Sequence, residues 1–259
     1  MSDLVTAAAE KQVQRGNPTM RDLVQAQQSA IEVQLAGTIN SGAFVRAAIS
    51  EISKTPKLQE ATPQSVLGSI MLAAQLKLEI GSALGQFYLT PRKDGGQQIC
   101  LPIIGYQGFI ELAYRSGRID AIETLLIREG DAFNYWADST GGLQFDWKPV
   151  DHDESRPWVG AIGVAHIKGG GRPVWAYLPR EKVLARRPRY WESGPWKTNE
   201  EEMARKTIVR AMAPYLPKST EFARAVEVTR EVEENGKRVD SIQGLQDLVI
   251  QEPTPGPQQ

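Results

Sequence analysis

Apolar residues recur along the chain first at helical and then at strand spacing. Between Thr19 and Leu35, the residues Met20, Leu23, Val24 and Ile31 share one face of a helix. Between Ser41 and Ser53 the same spacing links Phe44, Val45, Ile49 and Ile52. Thr62 followed by Pro63 reads as an N-cap and first helical position. It opens a helix through Val66, Leu67, Ile70, Met71 and Ala74 to about Leu76. From Gln86 the period shortens. "QFYLTPRK" and "QQICLPII" flank Asp94-Gly95-Gly96, a hairpin turn. Leu101 to Ile104 then runs into Gly105-Tyr106-Gln107-Gly108 and a helix with Phe109, Ile110, Leu112, Ala113 and Tyr114 inward, stopped at Gly117. Strands are expected near Ala121–Glu129, Ala132–Trp136 and Leu143–Trp147. A second hairpin joins "VGAIGVAHI" to "PVWAYLP" through Gly169-Gly170-Gly171. Helices at Arg180–Ala185, Asn199–Ala213 and Thr220–Arg230 close the pattern.

This order of elements predicts an α+β fold, an antiparallel β-sheet core with packed helices. Residues 1–18 are polar and read as a flexible N-terminus. Residues 19–230 read as one domain, and 231–259 as an acidic, disordered tail with a short helix at Ile242–Ile250. The 41% hydrophobic content of the 259 residues suffices for a real core. A single cysteine, Cys100, excludes an intramolecular disulfide and a cysteine-based zinc site, and its apolar surroundings predict a buried, inert thiol. Without an apolar run of membrane-spanning length or a signal pattern, a cytoplasmic protein is expected.

A net charge of −1 argues against a generic nucleic-acid binder, so distribution decides. From Arg180 to Arg210 the chain is rich in cations, and beyond Arg230 it is mostly acidic. Asn199 suits an N-cap, and Glu200, Glu201 and Glu202 suit the first turn, where the helix dipole favours carboxylates. Met203, Thr207, Ile208, Ala211, Met212 and Tyr215 form the inward face. Lys206 and Arg210, four apart, share another face with Arg205 beside it. Arg186, Arg187, Arg189 and Lys197 surround Trp191 and Trp196. Cations of this kind contact phosphates while flat rings stack on bases, or the rings simply pack beneath a loop. Tyr106 and Gln107 sit where a glycine-flanked helix start either binds phosphate or merely turns tightly. Arg115 follows that helix. Arg92 and Lys93, at the first hairpin, flank DNA or are solvated tips.

Other chemistries are poorly served. A phosphate-binding loop needs a glycine-rich turn ending in Gly-Lys-Ser/Thr, and no such string exists. Asp151 to Glu154 is the one dense acidic cluster, either a solvated loop or a metal site. His152 and His166 are the only histidines, and His166 reads as structural. No catalytic residue is assigned.

"QFYLTPRKDGG", "GYQGFIELAYRSGRI", "IREGDAFNYW" and "MARKTIVRAMAPYLPKS", spread over Ala61 to Ala225, together resemble the RecT family of phage single-strand annealing proteins, related to Red-beta. The resemblance implies a sheet-and-helix core and a protein that coats single-stranded DNA and pairs it with a complementary strand without ATP. No covalent bond would change, so it would not be an enzyme in the strict sense. No cofactor is required, and magnesium would assist only by screening two phosphate chains. The implied partners are single-stranded DNA, the annealed duplex intermediate, and further copies in a ring or helical filament. A partner exonuclease and a host single-strand binding protein are also implied, and no membrane. The N-terminal helices are expected to form the contact between copies or to pack on their own core. The tail either recruits host proteins through Leu245, Leu248, Val249 and Ile250 or is inert. The rival readings are a metal-dependent nuclease and a non-enzymatic scaffold.

Overall fold

The computed structural model describes residues 18–81, 84–138, 142–188, 191–217, 219–234 and 236–238. They form an α+β structure with small antiparallel sheets, arranged in two compact units rather than one. The first holds the described residues up to 81 together with 87–103 and 238; the second holds 84–86 and the described residues of 104–237. The expected tail helix at Ile242–Ile250 lies outside the described residues.

The first unit begins with α1 (Met20–Ala26), α2 (Gln28–Leu35), α3 (Ser41–Lys54), α4 (Pro56–Gln59) and α5 (Pro63–Leu76). The hairpin β1 (Phe87–Asp94) and β2 (Gln97–Ile104) follows. A capping box starts α1: the Thr19 hydroxyl accepts from the Asp22 amide, and Asp22 accepts from Thr19. The single helix expected over Thr19–Leu35 breaks at Gln27, whose N–H turns back to the Val24 carbonyl. Val24, Ile31 and Leu35 still face inward on either side of the break, which is why the apolar spacing reads straight through it. α5 is buried on nearly every side and keeps two hydroxyls there. Ser69 Oγ donates to the Ser65 carbonyl at 2.7 Å. Ser65 Oγ donates to the Thr62 carbonyl at 2.8 Å and accepts the Cys100 N–H at 2.9 Å, tying β2 to α5. Cys100 is buried, and desolvation pushes its thiol pKa up to about 12.

The second unit opens with α6 (Tyr106–Tyr114). β3 (Ile119–Arg128), β6 (Trp158–Ile167) and β7 (Gly171–Pro179) form one antiparallel sheet with β6 central; Leu125 pairs with Ile162, and Ala161 with Leu178. β4 (Ala132–Asp138) and β5 (Gly142–Lys148) form a separate ribbon. Then come α7 (Arg180–Leu184), a 3-10 turn at Trp191–Ser193, α8 (Pro195–Thr198), α9 (Glu200–Met212) and α10 (Thr220–Thr229). A π turn, Arg230–Glu234, prolongs α10. Phe109 of α6 meets Phe222 of α10 edge to face, with centroids 6.1 Å apart.

The Gly105–Gly108 turn has a structural explanation. The Gly105 N–H donates to the Gln86 carbonyl at 2.9 Å, so that donor is not open to a phosphate. A Cβ on Gly108 would stand 2.4 Å from the same carbonyl oxygen, so only glycine lets α6 approach this closely.

Asp131, in the β3–β4 turn, organises the base of the ribbon. Its Oδ2 accepts from the Arg128 amide at 3.0 Å and Trp147 Nε1 at 3.1 Å. Its Oδ1 accepts from the Val150 amide at 3.2 Å and Arg156 Nη2 at 3.1 Å. Burial works to raise its pKa, but these donors outweigh it and hold the carboxyl at about 2, below its ordinary 3.8. On acidification the unfolded chain therefore takes up this proton first. The stabilisation is complete above pH 3.8 and is lost as pH falls toward about 2. Urea unfolding of Asp131→Asn should show lower stability than the parent at neutral pH. It should also show a shallower decline across that acidic window.

Candidate nucleic-acid interface

α9 carries the cations, and its position follows from the sheet beneath it. Met203, Ala204 and Ile208 pack with Leu126, Trp158, Ala161, Val183 and Trp196 in one buried cluster. Gly163 of β6 makes the approach possible: a Cβ there would lie 2.8 Å from Met212 Cε and 3.2 Å from Ile208 Cγ1. Asn199 stands at the N-cap position, yet its side chain makes no capping bond and instead accepts from Thr198 Oγ1 at 2.7 Å.

The first-turn glutamates do more than complement the helix dipole. Glu200 Oε1 accepts from Arg180 Nη2 at 2.7 Å and from Trp158 Nε1 at 3.2 Å, while Arg187 donates to Oε2. Glu201 takes both terminal nitrogens of Arg128, at 3.1 and 3.2 Å, and Arg128 also donates to the Arg156 carbonyl at 2.6 Å. Paired forks of this kind add geometric specificity as well as energy. The Arg187 guanidinium lies over the Trp191 ring, 4.4 Å from its centroid, and 5.7 Å from that of Trp196. Trp196 is buried, whereas Trp191 is half-buried at the edge of the cluster.

The structure separates the expected DNA-binding residues into engaged and outward-facing groups. Arg205 donates to the Thr124 carbonyl at 2.7 Å, and Arg115 pairs with Glu111 at 3.3 Å. Arg187 is committed to Glu200 and the tryptophans. Arg186 and Lys197 are exposed, Gln107 is exposed at the start of α6, and Tyr106 beside it is half-buried. Arg210 lines a narrow cleft with Arg186, Pro188, Trp196, Lys206 and Glu233 among others. Lys93 is exposed and Arg92 half-buried on β1 of the first unit. Arg189 lies outside the described residues. Arg128 was not singled out from the sequence, and Glu200 was read only as a first-turn carboxylate, not as the partner of Arg180 and Arg187. Three consecutive glutamates beside an arginine-rich stretch were the available signal.

Comparison with known proteins places this arrangement. The family model described as the RecT family matches residues 42–242. Protein RecT of Escherichia coli (strain K12) is 35% identical over 212 residues, which cover 77% of this chain and 76% of that protein. The uncharacterized protein YqaK of Bacillus subtilis (strain 168) is 29% identical over 199 residues, 76% of this chain and 66% of its own length.

The chain belongs to the RecT family.

Membership supports a part in DNA recombination and strand annealing. The residues expected to touch DNA all fall within the span that matches the RecT family. Lys206 is the main departure from the expected chemistry. Its side chain is only 3% exposed, and Nζ donates to both oxygens of Glu233, at 2.6 and 2.9 Å. It also lies 5.9 Å from the Phe109 ring. In this conformation its ammonium is satisfied internally and does not present itself to a phosphate. Helical spacing correctly puts Lys206 and Arg210 on one face, but that face is partly covered by the segment after α10.

That segment also packs into the second unit. Val232 is fully buried, Glu233 holds Lys206, and Lys237 pairs with Glu231, so the described residues of 231–237 belong to the second unit. The acidic loop Asp151–Glu154 is exposed, with Asp151 on Arg156 at 2.9 Å and Asp153 on Ser155 at 2.6 Å. Among the described residues no group of three or more His, Cys, Asp or Glu could hold a metal ion. None of the helices among them is long and apolar enough to cross a membrane.

Removing one partner of a buried ion pair leaves the other charge stranded, a loss of about 3–5 kcal/mol. Glu233→Ala should therefore destabilise the chain on that scale in urea unfolding, and the double variant Lys206→Met/Glu233→Ala should recover part of the loss. Deleting residues 231–259 should lower stability far more than deleting 239–259.

Proposed function

We propose that the chain binds single-stranded DNA through its backbone and anneals it to a complementary strand without nucleotide hydrolysis. The observation that carries this reading is the cleft lined by Arg186, Arg210 and Trp196 in a chain of the RecT family. Guanidiniums recognise phosphates in a planar, two-pronged manner. Trp196 lies buried in the lining of the cleft, and Trp191 stands half-buried under the Arg187 guanidinium. Contacts to the sugar-phosphate chain carry no base information. The bases of a held strand then stay available for Watson–Crick pairing with the incoming strand, and the second strand reads the sequence.

No bond is made or broken in this scheme, and no phosphate-binding loop string occurs in the sequence. Magnesium would act by screening the two phosphate chains rather than at a dedicated protein site. One unit of this size spans few nucleotides, on the scale of the ~4–16 covered by a single-strand-binding module. Subunits repeated head to tail, closing as rings or continuing as helices, would cover a long strand.

Mixing labelled complementary oligonucleotides with the protein, in the absence of ATP, should give pairing much faster than the spontaneous rate. A strict requirement for ATP would exclude the mechanism. Arg186→Ala and Arg210→Ala should each weaken single-strand binding alike on all sequences and flatten its salt dependence by ~0.7 of slope per lost phosphate contact. A loss confined to particular sequences would point to base readout instead.

A further inference from the structure

The first unit holds a second polar cleft, made entirely by its N-terminal helices and distinct from the residues considered above. Arg21, Gln25 and Gln28 project from α1 and α2, and Gly42, Val45, Arg46, Ile49 and Ser50 face them from α3. The α3 residues follow helical spacing and share one helix face, while the other set comes from either side of the break at Gln27. The cleft encloses about 400 Å³. A water in the liquid takes about 30 Å³, so the space exceeds what one small ion would fill.

The lining has a consistent chemistry. Arg21 and Arg46 bring guanidiniums, Gln25 and Gln28 bring amides, and Ser50 brings a hydroxyl, while Val45 and Ile49 supply apolar floor. None of these lining residues is acidic. The acid next to Arg21 in sequence, Asp22, is committed to the Thr19 amide at 3.0 Å and the Thr19 hydroxyl at 2.6 Å. Glu51, beside Ser50, is paired with Lys54 at 2.8 Å. Gly42 shapes the convergence: a Cβ there would lie 3.3 Å from Arg46 Nη1 and 4.0 Å from Gln28 Nε2. The missing side chain leaves room for the Arg46 guanidinium over the start of α3. The Asn40 side chain already caps the Ala43 amide at 2.9 Å, so the site is made by side chains rather than by the helix end.

We propose that this cleft, formed by Arg21, Gln28, Arg46 and Ser50, binds the phosphodiester backbone of a nucleic acid strand. Two guanidiniums with neutral donors and no competing carboxylate match the charge and geometry of phosphate oxygens. The volume favours a polymer backbone over an isolated phosphate. The inference rests on the single-strand-binding reading above and adds a contact in the other unit.

The test is a salt titration of binding to a short labelled oligothymidylate, using the full chain. Arg21→Gln/Arg46→Gln should lower the slope by about 1.4, from ~0.7 per lost phosphate contact on single strands. Ser50→Glu, which puts a carboxylate into the cleft, should weaken binding in the same direction. Lys54→Gln, outside the lining, should leave the slope unchanged. All four positions are exposed, and circular dichroism would verify the fold of each variant. An unchanged slope in both cleft variants, with the Arg186→Ala and Arg210→Ala losses intact, overturns the cleft while the proposed function stands. Absence of single-strand binding by the parent protein overturns that function and the cleft with it. A changed mass of the DNA-free protein with an unaltered slope assigns the cleft to a carboxylate of a neighbouring copy and likewise overturns the proposal.

Discussion

The carboxylate of Glu200 receives the Trp158 indole and two guanidiniums, and the placement of α9 depends on it. A helix this rich in charge has little apolar surface with which to hold itself on a sheet. Its apolar stripe reaches β6 only because Gly163 leaves room, and its first turn is tethered from outside the helix. Arg180 follows β7 directly, Arg187 leaves the end of α7, and Arg128 closes β3 onto Glu201. Such partly buried pairs fix orientation more than they add stability, because desolvation offsets much of the attraction. The surface offered to a ligand is then what the tethering leaves exposed, with Arg186 and Lys197 among its cations.

The two units solve the problem of buried polarity differently. In the second, charges balance one another across elements, as Lys206 and Glu233 do. In the first, α5 is so enclosed that a charge would find no partner, and serine hydroxyls close the accounts locally. Ser65 serves both its own helix and the neighbouring strand. A hydroxyl can donate and accept at once, which a small buried helix uses where a carboxylate would be stranded.

Much of the fold was legible because the chemistry is local. Asp94-Gly95-Gly96 and Gly169-Gly170 mark hairpins, and the four glycines adopt the positive φ such turns require. Amphipathic spacing located α3, α5, α6, α9 and α10 to within a few residues. The break at Gln27 was not legible, since the inward residues keep their spacing across it. Neither was the partition into two units, because the chain leaves the first near residue 84 and returns to it for the hairpin, and no composition shift marks either crossing. Among the cations, sequence found the region but not the employment of each. Whether Lys206 faces water or Glu233 depends on a residue 27 positions away. Asp131 was passed over for a similar reason: its donors come from Arg128, Trp147, Val150 and Arg156, and only folding brings them together.

Cys100 carries a practical consequence. Only the thiolate attacks maleimides and similar reagents, and a buried thiol with a pKa raised to about 12 supplies almost none at neutral pH. Since the chain has no other cysteine, the native protein should react only slowly with such dyes. A cysteine introduced at an exposed position would be the sole reactive handle. The parent background therefore serves unaltered for attaching fluorophores or spin labels and following strands as they meet.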